Sequence, residues 1–318
     1  MKKFLLKSLA LIVSVGILFY GVTFALILPS KGQAFANNYQ KGFVYQYRAL
    51  ERAEGKKIIT IGASNVAFNT DTALMREITG VPAYNLGIHG GMGYHYILET
   101  ALKFVDEGDT VIYPFWHFSE DDYGMGLIWL SLEGEQDLIF DFIKEHPVKA
   151  LSTVGQFGLK KVYASILGNK LDTDSLDMAC YRASCFDAET GNYIYERGTP
   201  IVSWDAMHAT KLAFSPANFD SAFVSTLSEF ISACRAKGAE VYFTFHSIMS
   251  GSLVNTAEEL AEVRSIAEQT FSVEFLNDAS EVTYPFEYYY NSPTHLNTAG
   301  MKRYTEAVAN ALVPYLTK

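Results

Sequence analysis

The residues of this chain that could do chemistry stand at the ends of apolar runs. Ile58-Ile59-Thr60-Ile61-Gly62-Ala63-Ser64-Asn65 carries β-branched residues straight into a small-residue turn, with a serine where the strand should end. Far downstream, Asn291-Ser292-Pro293-Thr294-His295-Leu296-Asn297 sets a histidine just ahead of the last amphipathic run. A serine hydroxyl is a weak nucleophile at neutral pH and needs a base such as imidazole to take its proton. If the fold brings the two stretches together, acyl transfer is the chemistry they can do. Between them lie a glycine-rich loop, Gly87-Ile88-His89-Gly90-Gly91-Met92-Gly93, and two histidines at strand ends, His117 and His246. Each residue also has a purely structural reading. Ser64 can cap a helix, a loop glycine commonly makes a turn, and His295 can sit on the surface or cap the final helix.

These positions depend on an alternating pattern of strands and helices. Lys57 to Gly62 reads as a buried strand, and Thr70-Asp71-Thr72 as the cap of a helix running to about Thr79. Gly80 to Leu86 reads as a turn into a second short strand, followed by a helix at Tyr94 to Val105 and a third strand at Thr110 to Tyr113. This βαβαβ rhythm predicts a parallel sheet with right-handed crossovers, and in such sheets ligands sit beyond the carboxyl ends of the strands. From about 119 to 216 the rhythm stops, and helical patterns (Leu127 to Leu132, Glu135 to Ile143, Val148 to Ile166) precede a polar loop bearing two cysteines. That stretch reads as one largely helical insertion. The rhythm then resumes with a helix at Asn218 to Lys237, a strand at Glu240 to Phe245, a helix at Asn255 to Thr270, a short strand at Val273 to Leu276 and a helix from about Thr298 to Leu316.

The order of Gly-x-Ser after the first strand, a glycine loop after the second and a histidine before the last helix resembles the SGNH/GDSL hydrolase family, over about Lys57 to Leu316. The resemblance implies a three-layer α/β sandwich with a mostly parallel, flavodoxin-like sheet. It extends to membrane-anchored members that modify acyl groups of bacterial envelope polysaccharide, such as the D-alanyl transfer protein. It implies Ser64 as nucleophile, His295 as general base, and the backbone N–H groups of Ser64 and Gly90 as oxyanion donors. Two positions depart from the family's pattern. The acid expected a few residues before the histidine is replaced, with Asn291 its nearest equivalent. The asparagine of the third block is missing from Tyr113-Pro114-Phe115-Trp116-His117-Phe118, which leaves His117 as the nearest polar group. Asn65, Trp116 and His246 fall on the substrate side of the same strand ends. The implied activity is a serine esterase or acyltransferase acting on envelope glycan or polymer. The departures imply the alternative, an inactive scaffold of the same fold that binds a glycan or a membrane-bound acyltransferase. The many aromatic residues near the strand ends and in 284–290 suit either stacking on sugar rings or an aromatic core.

Composition narrows the class. A chain of 318 residues with 49% hydrophobic and 19% charged residues is that of a folded protein, and a net charge of −10 argues against a nucleic-acid partner. The glycine loop makes neither a Walker nor a dinucleotide fingerprint, and no lysine follows it, so no nucleotide cofactor is expected. No metal site is expected either, since cysteines and histidines lack zinc spacing. The basic start Met1-Lys2-Lys3-Phe4-Leu5-Leu6-Lys7 is followed by an uncharged stretch from Ser8 to Leu28. About 20 apolar residues at a rise of about 1.5 Å span a hydrocarbon core. The segment therefore reads as a single-pass anchor over 1–30, with a linker over 31–55 and one domain over 56–318. Lysines ahead of the anchor place the remainder outside the cytoplasm. The competing reading is a cleaved signal peptide ending at Ala34-Phe35-Ala36. Outside the cytoplasm Cys180 and Cys185 can pair across a short loop, leaving Cys234 buried; three separate thiols is the other reading.

Overall fold

The computed structural model describes residues 1–27, 37–118, 124–153, 155 and 179–316. The helix-breaking stretch after the anchor, the Ala34–Ala36 site and most of the helix expected over 148–166 lie outside these residues. The described chain is an α/β protein divided into two compact units. One comprises Met1–Lys41 with Gly124–Ser184, the other Gly42–Tyr123 with Cys185–Lys318. Of the segment expected as an insertion, 124–184 lies in the first unit and 185–216 in the second.

The second unit is built on a four-stranded sheet: β1 (Ile58–Ile61), β2 (Ala83–Leu86), β3 (Thr110–Phe115) and β4 (Glu240–Phe245). Its order is β2-β1-β3-β4 and every pairing is parallel. All residues of β1 and β3 are buried, which is why their sequences are continuous apolar runs rather than alternating ones. The register sets Ile58 beside both Ala83 and Thr110, and Thr110 beside Glu240, so the carboxyl ends emerge together. The connection after β1 leads outward to β2, and the connection after β2 crosses back past β1 to β3 on its other side, so the direction of winding reverses at β1. A crevice at the carboxyl ends of β1 and β3 is the consequence of that reversal. The strand expected at Val273 to Leu276 is reduced to a single parallel bridge, Phe243 with Phe275. Below the crevice an aromatic core gathers Phe115, Phe223, Phe243, Phe271 and Phe275.

The helices of this unit are α2 (Lys41–Glu51), α3 (Ser64–Asn69), α4 (Thr72–Thr79) and α5 (Tyr94–Leu102), and further on α8 (Trp204–Ala209), α9 (Ser221–Ala236), α10 (Ala257–Phe271) and α11 (Thr298–Leu316). Asp71 caps α4 by accepting from the N–H groups of Ala73 and Leu74, and Thr256 with Glu259 forms a capping box on α10. Within the stretch expected as a partly helical linker, α2 carries Phe43, Val44 and Leu50 as buried residues. Between α10 and α11 the chain makes a two-stranded antiparallel hairpin, β5 (Tyr289–Ser292) and β6 (His295–Leu296), turning at Pro293 and Thr294. Tyr284, Tyr289 and Tyr290 are buried, so for these three the aromatic-core reading holds.

The first unit contains α1 (Lys2–Ile27), α6 (Met125–Leu132) and α7 (Gln136–Glu145). Lys2–Val22 is long and apolar enough to cross a membrane. Across the chain, Cys180, Cys185 and Cys234 are all buried thiols.

Candidate active site

Ser64 opens α3 directly after β1, at the point where the strand turns into helix. The turn is tight because Asn65 folds its side chain back, and its Oδ1 accepts the Ala63 N–H at 3.0 Å. As the first helical residue, Ser64 has a backbone N–H with no acceptor inside its own helix. One turn further along, Phe68 lies on the same helix face as Ser64.

His295 comes from the other end of the sequence and meets Ser64. Its Nε2 is 2.8 Å from Ser64 Oγ, and its Nδ1 is 2.8 Å from Asn291 Oδ1. An amide oxygen can only accept, so Nδ1 carries the proton and Nε2 is left to accept from the serine hydroxyl. The hairpin explains the geometry: Asn291 and His295 sit on its two strands on either side of the Pro293-Thr294 turn.

Three further residues, which sequence reasoning missed, hold the imidazole in place. The Phe68 ring stacks on it with centroids 4.2 Å apart. Asn69 brackets the strand that carries it, donating to the Thr294 carbonyl at 3.0 Å and accepting the Leu296 N–H at 2.9 Å. Arg197, buried, donates from Nη1 to the carbonyls of Phe68 and Leu296, and its guanidinium lies over the Phe68 ring. The only local signal is the helical spacing of Phe68 from Ser64; Asn69 and Arg197 act on segments remote in sequence.

The glycine loop is drawn against the serine turn. A Cβ on Gly87 would collide with the Gly62 carbonyl, so only glycine permits this approach. The Gln46 side-chain amide clamps the same residue, accepting its N–H at 2.9 Å. Gly90 begins a 3₁₀ turn, Gly90–Met92, capped by His89, whose Nδ1 accepts the Gly91 N–H at 2.9 Å. The Gly90 N–H therefore has no acceptor within that turn. Its α-carbon faces the Ser64 turn, where a Cβ would sit 3.6 Å from that of Ala63.

A cavity of about 510 Å³ lies over these elements, lined by Ser64, Asn65, Gly90, Trp116, His117 and His246 among others. All the predicted site residues except the hairpin pair line it directly, and that pair reaches it through Ser64. The Tyr113 hydroxyl donates to the Trp116 carbonyl at 2.7 Å and fixes the exit of β3. His117 Nδ1 accepts from Asn218 Nδ2 at 3.1 Å, which leaves its Nε2 as a donor. His246 packs edge-on to Trp116, and its buried Nδ1 has no hydrogen-bond partner among the described residues.

Burial sets the protonation of these imidazoles. His295 is pulled down to about 3, first by burial and then by the nearby His246, Arg197 and His89, although part of its surface remains solvent-accessible. His246 is also pulled to about 3, by burial. His117 is lowered by burial, with Asp220 opposing. At neutral pH all three are uncharged: a base at His295, a donor at His117 and an unused polar edge at His246. Among the described residues, no group of three or more His, Cys, Asp or Glu side chains could hold a metal ion. Comparison with protein-family models and with characterised proteins finds no match to this chain.

Proposed function

We propose that the protein is a membrane-anchored serine esterase or O-acyltransferase of the SGNH type, a three-layer α/β sandwich working outside the cytoplasm on acylated glycan or polymer of the cell envelope. The observation that carries this reading is the relay Ser64 Oγ–His295 Nε2 with Asn291 Oδ1 behind Nδ1, each step 2.8 Å long. Ser64 Oγ attacks the acyl carbonyl while its proton passes to His295 Nε2. The oxyanion is met by the N–H groups of Ser64 and Gly90, with His117 Nε2–H in the place where the family has an asparagine. Collapse of the tetrahedral intermediate breaks the ester bond, and His295 returns the proton to the leaving alcohol. The acyl-serine then passes its acyl group to water or to an acceptor hydroxyl, deprotonated in turn by His295. Asn65, Trp116 and His246 line the space where the substrate would lie, and a membrane-bound acyltransferase is a fitting partner for an enzyme tethered in this way.

The test is covalent labelling with a fluorophosphonate. Wild-type protein should form an adduct that Ser64→Ala lacks while keeping its fold. No Ser64-dependent adduct at any pH would reject the enzyme and favour the other function compatible with this cavity, a glycan- or partner-binding scaffold.

A further inference from the structure

We propose that Gln46 is a positioning residue of the esterase reaction: from α2 it holds the glycine loop against the serine turn and so sets where the Gly90 N–H points. The inference rests on the reading of Ser64 as nucleophile and of Gly90 as an oxyanion donor. Glutamine is seldom fully buried, and an amide inside a protein must find its partners there. Gln46 is 1% exposed and directs its whole amide at one residue. Its Oε1 accepts the Gly87 N–H at 2.9 Å, and its Nε2 donates to the Gly87 carbonyl at 3.4 Å. Gly87 follows β2 directly, where the Gly62 N–H donates to the Leu86 carbonyl at 3.1 Å, so the side chain takes over as the pairing of β1 with β2 ends. The loop then meets the serine turn at two points, Gly87 against the Gly62 carbonyl and Gly90 facing Ala63. Ile88 between them is fully buried, which leaves the short span no slack. A shift at Gly87 is therefore passed on to Gly90.

Gln46 is itself held from behind. A Cβ on Gly191 would lie 2.5 Å from the Gln46 α-carbon, and one on Gly42 would lie 2.6 Å from the Phe186 ring, so the 186–191 segment presses on α2 where only glycine allows it. On another side of α2, the Phe43 ring packs on Tyr96 of α5 with centroids 5.5 Å apart. The amide is thus fixed before the reaction begins, and a donor aimed by fixed groups needs no reorganisation when charge develops on the substrate oxygen. Removing an oxyanion donor outright lowers turnover by about 10²- to 10³-fold. A donor that is still present but displaced should lose a part of that, about 10- to 100-fold.

The test is ester hydrolysis by full-length Gln46→Met, which keeps the volume and loses both bonds to Gly87, with turnover expressed per Ser64 site titrated by fluorophosphonate. The proposal expects kcat to fall about 10- to 100-fold while KM stays within about twofold. Inhibition by a trifluoromethyl ketone, whose serine adduct carries an oxyanion, should weaken by the same factor as kcat. Gln46→Glu, whose buried carboxyl stays protonated and offers the same acceptor and donor, should recover most of the lost turnover. Gln46→Asn, one methylene short of Gly87, serves as the loss variant if Gln46→Met does not fold. Wild-type kcat in a folded loss variant overturns the proposal and leaves the esterase standing, as does a fall in kcat per titrated site with inhibitor affinity unchanged. Absence of a Ser64-dependent adduct in wild-type protein overturns the esterase and the proposal with it.

Discussion

Replacing Asn291 by aspartate should raise ester turnover and move its pH dependence. Asn291 Oδ1 already accepts from His295 Nδ1 at 2.8 Å, so the native amide holds the useful tautomer. What it lacks is a charge to stabilise the imidazolium formed when His295 takes the serine proton. For opposite charges about 4 Å apart, an effective dielectric of about 20 gives about 4 kcal/mol. Asn291 and His295 both keep part of their surface accessible, and a new carboxylate must be partly desolvated. We therefore expect a net gain of about 1 to 3 kcal/mol in the transition state, which at about 1.36 kcal/mol per tenfold is about 5- to 150-fold in turnover. In serine proteases the reverse change, aspartate to asparagine, loses about 10⁴, but there the tautomer is lost as well. The carboxylate should also raise the His295 pKa from its depressed value of about 3, so the acid limb of the rate profile moves upward. The assay is hydrolysis of an activated acetyl ester by detergent-solubilised full-length protein, from about pH 4 to about pH 8. Unchanged turnover with an unmoved acid limb would refute the reasoning, because His295 would then not be the base that Asn291 orients.

Gly87→Ala should destabilise by about 1 to 3 kcal/mol, since its Cβ meets the backbone of Gly62, whereas Gly90→Ala meets Ala63 only at ordinary contact distance and should melt near wild type; thermal melts of the two variants side by side check this. Asn69→Ala leaves the Thr294 carbonyl and the Leu296 N–H without their partner. It should lose about 1 to 3 kcal/mol in denaturant unfolding and lower turnover more than substrate affinity. His246 and His295 have native pKa values near 3, below the ordinary value of 6.5, so the unfolded chain takes up protons first as pH falls. Their contribution to stability is complete above about pH 6.5 and declines from there toward about pH 3. The melting temperature should fall across that window, and less steeply in His246→Gln.

The strands are legible because a buried parallel strand leaves a continuous apolar run, as in Ile58 to Ile61 and Thr110 to Tyr113. Val273 to Leu276 looks equally strand-like, yet only Phe275 bridges to β4, because propensity does not say how many ladder bonds a neighbour offers. The 31–55 segment reads as a linker because its apolar residues are interleaved with Tyr, Gln, Arg and Glu; burial of Phe43, Val44 and Leu50 is a tertiary fact with only a weak local trace. In the site, Ser64 and His295 are visible as residues at element ends. The hairpin that joins His295 to Asn291 is not, since four- and two-residue strands with a bulge leave no alternating pattern. Asn69 and Arg197 escape for the same reason, as their work is done on backbone atoms of segments remote in sequence.

The replacement of an acid by Asn291 has a chemical consequence that follows from the pKa values of the site. A carboxylate behind an imidazole raises its pKa, and in acid such a base is protonated before it can take the serine proton. Burial first, and then His246, Arg197 and His89 nearby, keep His295 neutral down to about 3, and an amide at position 291 supplies no charge to oppose them. The base is then weaker but available over a wider acid range. Rate is lost through the uncompensated imidazolium, and acid tolerance is gained through the same missing charge. If Ser64 is acylated as proposed, wild-type turnover should be low and nearly flat from neutrality down to about pH 4, whereas Asn291→Asp should be fast near neutrality and fall off in acid. Two profiles that cross in this way would identify the asparagine as the residue that sets the working pH; parallel profiles would show that it does not.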